Sequence, residues 1–108
     1  MSDEQLDLVF GALADRTRRA ILARLAQGDA NVGDLTGLFT MSQPAISKHL
    51  KVLEQAGLIS RNRQGTMRLS HLEAAPLKDA TVWMSDYRTY WSESYDRLDA
   101  LLDSLDQS

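Results

Sequence analysis

Thr40-Met-Ser-Gln-Pro-Ala-Ile-Ser-Lys-His-Leu-Lys-Val-Leu-Glu-Gln-Ala-Gly57 is the stretch whose reading decides the fold. Ser42 is a good N-cap, because its hydroxyl can accept from a backbone N–H of the first turn. Pro44 then falls in that first turn, where a missing N–H costs nothing. Gly57 follows the last helical positions and supplies the left-handed residue that ends many helices. Between these stops a 3.6-residue period puts Ile46, Leu50 and Leu53 on one stripe. Pro44, Ser47, Lys48 and Lys51 point the opposite way, with Gln43 and His49 on the flanks. Such an outer face suits a DNA major groove. Gln and Ser can donate and accept at base edges, while Pro44 and Ala45 offer apolar contact to a thymine methyl. Lys48 and Lys51 suit phosphates.

The flanks carry the same reading outward. Asn31-Val-Gly-Asp34 resembles a capping box with Asp in place of Glu or Gln, and opens a short helix with Val32, Leu35, Leu38 and Phe39 turned inward. Thr40-Met41 is then a connection of the length found inside a helix-turn-helix. After Gly57 the period changes to alternation. Two short runs around Gln64-Gly65 predict a β-hairpin carrying Arg61, Arg63 and Arg68. Helix, turn, helix and basic hairpin make a winged helix-turn-helix, mainly α with a small β-hairpin (α+β).

Two further helical regions frame this unit. Leu6, Val9, Phe10 and Leu13 form an apolar face near the N-terminus, and Ile21, Leu22 and Leu25 another, with Asp15 as N-cap and Gly28 as stop. Arg16, Arg18 and Arg19 open that second helix, where they could touch phosphates, although such a cluster is more often a solvated face or pairs with local acids, the reading favoured for Arg18 and Arg19. From Pro76 to Leu105 there is neither Gly nor a further Pro, and apolar residues recur at helical spacing. This predicts one long helix over 76–105. Both tryptophans and all three tyrosines lie on it, and such residues favour interfaces. Leu6, Phe10, Trp83, Tyr87, Tyr90, Trp91, Leu98, Leu101 and Leu102 are therefore expected at a homodimer interface built from the N- and C-terminal helices. The alternatives are an intramolecular core or a ligand pocket. The chain divides as one domain, 1–108, with an N-terminal dimerisation helix (1–13), helix-turn-helix (31–57), wing (58–72) and C-terminal dimerisation helix (76–105).

Charge is segregated. The whole chain of 108 residues has a net charge of −3, yet residues 42–72 carry +4, against −2 for 1–41 and −5 for 73–108. A local basic patch is what phosphate binding requires. There is no cysteine, so disulfide and thiol chemistry are excluded. No apolar run has the length of a bilayer span, and the acidic start Met1-Ser-Asp-Glu4 is no signal peptide, which predicts a cytoplasmic protein without a membrane partner.

Ala14-Asp-Arg-Thr-Arg-Arg-Ala-Ile-Leu22 and Met41-Ser-Gln-Pro-Ala-Ile-Ser-Lys-His-Leu-Lys-Val-Leu-Glu-Gln-Ala-Gly-Leu-Ile59 resemble ArsR/SmtB-type winged-helix transcriptional regulators, and the resemblance runs from about Leu6 to the C-terminus. It implies a homodimeric, usually repressing, DNA-binding protein whose two reading helices enter successive major grooves of a palindromic operator. Gln43, Ser47 and His49 are expected to read bases, with Pro44 in apolar contact. Ser42, Lys48, Lys51, Arg61, Arg63 and Arg68 are expected to hold the double-stranded DNA backbone. Many members of that family bind a metal through cysteines, or through His and carboxylates on the last helix. Here the cysteines are missing, and the two histidines, His49 and His71, lie elsewhere. No metal or other cofactor is expected. The inducer is left open between a small molecule, a partner protein and none. Nothing forms a nucleophile–base pair, so an enzyme is not expected. The alternative function is a winged helix that docks proteins, but its exposed helix would need aliphatic or aromatic anchors where this one has Gln, Ser and Lys.

Overall fold

The helix that follows Ser42 forms as α4, Gln43–Gln55, the fourth of six. Before it come α1 (Asp3–Leu13), α2 (Arg16–Leu25) and α3 (Val32–Phe39). After it come β1 (Ile59–Gln64), β2 (Met67–Leu72), α5 (Ala75–Ser85) and α6 (Arg88–Asp106). The computed structural model describes residues 1–106, the side chains of Thr89 and Trp91 excepted. The interface role expected of Trp91 thus lies outside the described residues.

Each early helix begins on its own cap. The side chains of Ser2, Asp15, Asn31 and Ser42 accept from the backbone N–H of Gln5, Arg18, Asp34 and Ala45. At α3 the box is reciprocal: Asp34 N donates to Asn31 Oδ1 at 2.7 Å, and Asn31 N donates to Asp34 Oδ2 at 3.1 Å. Aspartate therefore performs the role usually taken by Glu. α3 ends on Thr40 at φ 53°, a left-handed residue that reverses the chain into α4. α4 ends at Gly57 (φ 76°), where Leu58 N donates to Leu53 O at 3.0 Å and closes the helix.

The core is the meeting of the inner faces. Ile46, Leu50 and Leu53 of α4 are fully buried together with Val9, Ile21, Leu35 and Leu58. Leu38, expected to face inward, is 58% exposed, because the short α3 covers the core with Leu35 and leans only Val32 and Phe39 against it.

β1 and β2 form a two-stranded antiparallel hairpin with Ile59 opposite Leu72 and Gln64 opposite Met67. Its two-residue turn is Gly65-Thr66, one residue beyond the Gln64-Gly65 expected, with Gly65 at φ 62° supplying the positive φ. The wing is anchored at its base. Ser70 and Ala30 exchange backbone hydrogen bonds of 2.8 and 3.2 Å, and His71 Nδ1 lies 2.7 Å from Asp29 Oδ1.

The single helix expected over 76–105 is two. Asp86 and Tyr87 separate α5 from α6, although no Gly or Pro marks the place. Ser85 Oγ donates to Val82 O, the carbonyl that the Asp86 N–H would need to continue the helix, and Tyr87 N closes back on Met84 O at 3.0 Å. The Ser85 hydroxyl thus competes for a backbone acceptor at the point where α5 stops. α5 returns to the body, burying Pro76 and Ala80, and packs on α1. α6 follows α5 away from the body, and the molecule extends 67 Å along its longest axis.

The Asp29 carboxylate raises the pKa of His71, first through the hydrogen bond and then through its charge, while desolvation opposes and Glu73 assists. The stabilisation is therefore complete below the unfolded value of about 6.5 and is lost as pH rises through the raised folded value. Melting temperatures of the native chain and Asp29→Asn should differ at pH 5.5 and converge by pH 9; parallel profiles would show that the contact contributes nothing.

Candidate nucleic-acid interface

α4 presents its outer face to solvent because its inner stripe is held in the core. Ser42, Gln43, Pro44, Lys48 and Lys51 are exposed, and Ser47 is half-buried on the same side. Ser42 Oγ accepts from Ala45 N at 3.3 Å, which leaves its O–H free to donate. No carboxylate pairs with Lys48 or Lys51 among the described residues.

His49 is placed differently from expectation. Its side chain is only 18% exposed and turns toward the start of α2, with Nδ1 4.0 Å from Asp15 Oδ1 and 3.5 Å from Arg18 Nη1. One turn after Ala45, the flank of α4 meets α2 rather than open solvent. Arg18 and Arg19 are likewise taken up internally. Arg18 donates to Ala12 O and Gly11 O, and Arg19 to Leu13 O, so both satisfy carbonyls at the end of α1, which has no basic residue in its own last turn. Arg16 stays exposed.

On the wing, Arg63 stands directly opposite Arg68, and Arg61 opposite Ser70. Residues two apart share a face of the sheet, so the three arginines lie on one side and line one shallow recess. Arg61 Nε is buried without a hydrogen-bond partner. Desolvation, and then the charge of Arg68, lower the Arg61 pKa, with Glu54 countering. Like charges directly opposite cost stability, and here no carboxylate pairs with any of the three among the described residues. An anion would relieve all three at once.

Away from this face, exposed apolar side chains lie among acidic ones. Trp83 meets Phe10 edge-on at 5.7 Å and Tyr87 at 5.5 Å, joining α5 to α1 within the chain. Phe10 is therefore partly buried in its own protomer, as is Leu6, whereas Trp83, Tyr87, Tyr90, Leu98, Leu101 and Leu102 are each about half exposed or more. Among the described residues of one protomer no three His, Cys, Asp or Glu side chains are grouped to hold a metal ion, and the chain has no cysteine to supply a thiolate.

A capped helix-turn-helix with a basic hairpin beside its second helix defines a winged helix-turn-helix of the DNA-binding class. Residues 15–61 match the family described as bacterial regulatory protein, arsR family. The chain is 42% identical over 79 residues to the transcriptional repressor SdpR of Bacillus subtilis, covering 73% of this chain and 88% of that one. It is 39% identical over 98 residues to the HTH-type transcriptional regulator Rv2034 of Mycobacterium tuberculosis, covering 91% and 89%. Among solved structures, an ArsR family transcriptional regulator superposes with a TM-score of 0.76 at 38% identity, over 85% of this chain and 95% of that one. The homodimeric winged helix-turn-helix DNA-binding domain of a Mycobacterium bovis protein gives 0.63 at 26% identity, over 90% and 93%. This chain belongs to the arsR family of bacterial regulatory proteins: it is a DNA-binding transcriptional regulator and not an enzyme.

The opposed Arg63 and Arg68 carry a stability consequence. Arg68→Ala should raise stability by about 0.2–1 kcal/mol at low ionic strength, and the gain should shrink as salt screens the pair. Thermal melts at two salt concentrations check this; a loss of stability at low salt would show that Arg68 is held by something other than its neighbours.

Proposed function

We propose that the protein is a homodimeric repressor that sets one α4 in each of two successive major grooves of a palindromic operator, with half-sites about one helical turn apart. The observation that carries this reading is the outer face of α4. It is short, polar and cationic, and it stands on a helix whose inner stripe is locked in the core. Gln43 and Ser47 read base edges, and Pro44 makes the apolar contact. Ser42, Lys48 and Lys51 hold phosphates, and Arg61, Arg63 and Arg68 hold the backbone beside the wing. His49 is not among the base readers, because its ring faces α2.

The second half of the proposal is the dimer. Tyr95, Leu98, Leu101 and Leu102 are at least half exposed along α6, a length of apolar surface that a lone protomer of this size does not cover. A two-fold pair through α5 and α6, with Leu6 and Trp83 at its edge, would bury it on both chains. The Mycobacterium bovis domain, similar over nine-tenths of this chain, is homodimeric. Acting on the chromosome, the protein works in the cytoplasm. Its inducer is a small molecule or protein that engages the apolar half, or there is none and its own abundance sets repression.

The experiment is fluorescence-anisotropy titration of the DNA upstream of its own gene against a scrambled duplex, at two salt concentrations, with selection from random DNA should the operator lie elsewhere. Gln43→Ala and Ser47→Ala should each cost about 1–3 kcal/mol on the operator and relax specificity. Lys51→Ala should weaken all duplexes alike and reduce the salt slope by about one. Equal losses on operator and scrambled DNA for Gln43→Ala would remove it from the base readers. Leu98→Asp should sediment as a monomer and lose most operator affinity; a dimeric Leu98→Asp that binds normally would refute the interface.

A further inference from the structure

Between the first helix and the reading helix lies a polar chain of three residues that neither the core nor the DNA-facing surface explains. Arg18 reaches back from the first turn of α2 to the end of α1, donating from Nε to Ala12 O at 2.8 Å and from Nη2 to Gly11 O at 3.1 Å. Its remaining arm, Nη1, stands 3.5 Å from His49 Nδ1 on α4. Asp15 Oδ1, which caps α2 by accepting from Arg18 N at 3.0 Å, lies 4.0 Å from the same His49 nitrogen.

A guanidinium has donors only, so Arg18 Nη1 can donate to His49 Nδ1 in the tautomer that carries its ring proton on Nε2. The guanidinium is also a rigid planar fork. With two of its nitrogens fixed on carbonyls of α1, the direction of the third is set by where α1 ends. His49 is thus tied to the end of α1 as well as to α2, beside the direct packing of α1 on α4 and the core that fixes the rotation of α4. α1 in turn packs on α5, with Phe10 against Trp83, beside the exposed apolar surface.

We propose that Arg18 and His49 are positioning residues that couple the end of α1 to the reading helix, so that association through the apolar half of the molecule sets the attitude of α4 on DNA. The proposal rests on the reading of α4 as the DNA-contacting helix and of α1, α5 and α6 as the dimer half. His49 acts here without touching DNA. It provides the acceptor that lets a change at α1 be felt at Ser47 and Gln43, two and six residues earlier on the same helix.

The test uses the full chain as a dimer on its selected operator. His49→Leu fills the space without an acceptor, and His49→Gln restores one. Arg18→Met removes the fork, and the double variant Arg18→Met/His49→Leu closes a thermodynamic cycle. His49→Leu should bind the operator about tenfold more weakly while keeping the native salt slope, the dimer and the melting profile. His49→Gln should return to within about threefold, and the double variant should be no weaker than Arg18→Met alone. Additive losses in the cycle, a salt slope lowered by about one in His49→Leu, or undiminished binding by His49→Leu would each overturn the coupling. If Arg18→Met does not melt cooperatively, Arg18→Lys takes its place, since lysine keeps the charge and lacks the fork. Failure of the native chain to prefer any selected operator would overturn the DNA reading beneath the proposal, a result separate from any outcome of the cycle.

Discussion

One helix has to serve as both core and surface, and the rest of the structure depends on that constraint. Ile46, Leu50 and Leu53 are fully buried, each stabilising the fold by about 1.5–3 kcal/mol relative to exposure. Their burial fixes the rotation of α4 about its own axis. Gln43, Pro44, Ser47, Lys48 and Lys51 then face outward together as a consequence and need no contacts of their own to hold them there. A side chain that reads a base must be positioned by something other than the base, and here the core does it.

The arginines of the chain divide between two uses according to their surroundings. Arg18 and Arg19 donate to carbonyls at the end of α1, where a helix terminus leaves acceptors without partners, and Arg24 donates to Gly28 O just beyond α2. Among the described residues Arg61, Arg63 and Arg68 have no such acceptors. They crowd one face of the wing at a cost in mutual repulsion, with Arg61 Nε buried and unpaired. A cluster that is unfavourable in the free protein and relieved by an anion is suited to a polyanionic partner. The acidic remainder of the chain keeps the basic region local.

The apolar half presents the opposite problem. α1 and α5 meet through Phe10 and Trp83 and bury Val9, Ala12 and Ala80. α6, however, leaves the body with its leucines half exposed. In the proposed dimer this is where the two protomers meet. The Arg18–His49 contact is a polar link from that half to the reading helix, starting at the carbonyls where α1 ends.

The helix-turn-helix was legible in the sequence because its signals are local. Ser42, Pro44 and Gly57 punctuate α4, Asn31 and Asp34 close a box three residues apart, and the period of apolar residues names the buried face without any knowledge of its partner. The hairpin followed from alternation around a glycine, to within one residue of its turn. The break between α5 and α6 was not legible, since it arises where Ser85 competes for a backbone carbonyl and no Gly or Pro marks it. Leu38 looked inward by periodicity and is exposed, because whether a face is covered depends on what packs on it. His49 looked like a base reader for the same reason. Its neighbours on α4 are known from the sequence, but the residues it faces, Asp15 and Arg18, are more than thirty positions away in the chain. Sequence by itself determined the elements, their caps and the two faces of α4. The tertiary structure alone decided which polar side chains on those faces meet solvent and which meet each other, because that depends on contacts between residues remote in the chain.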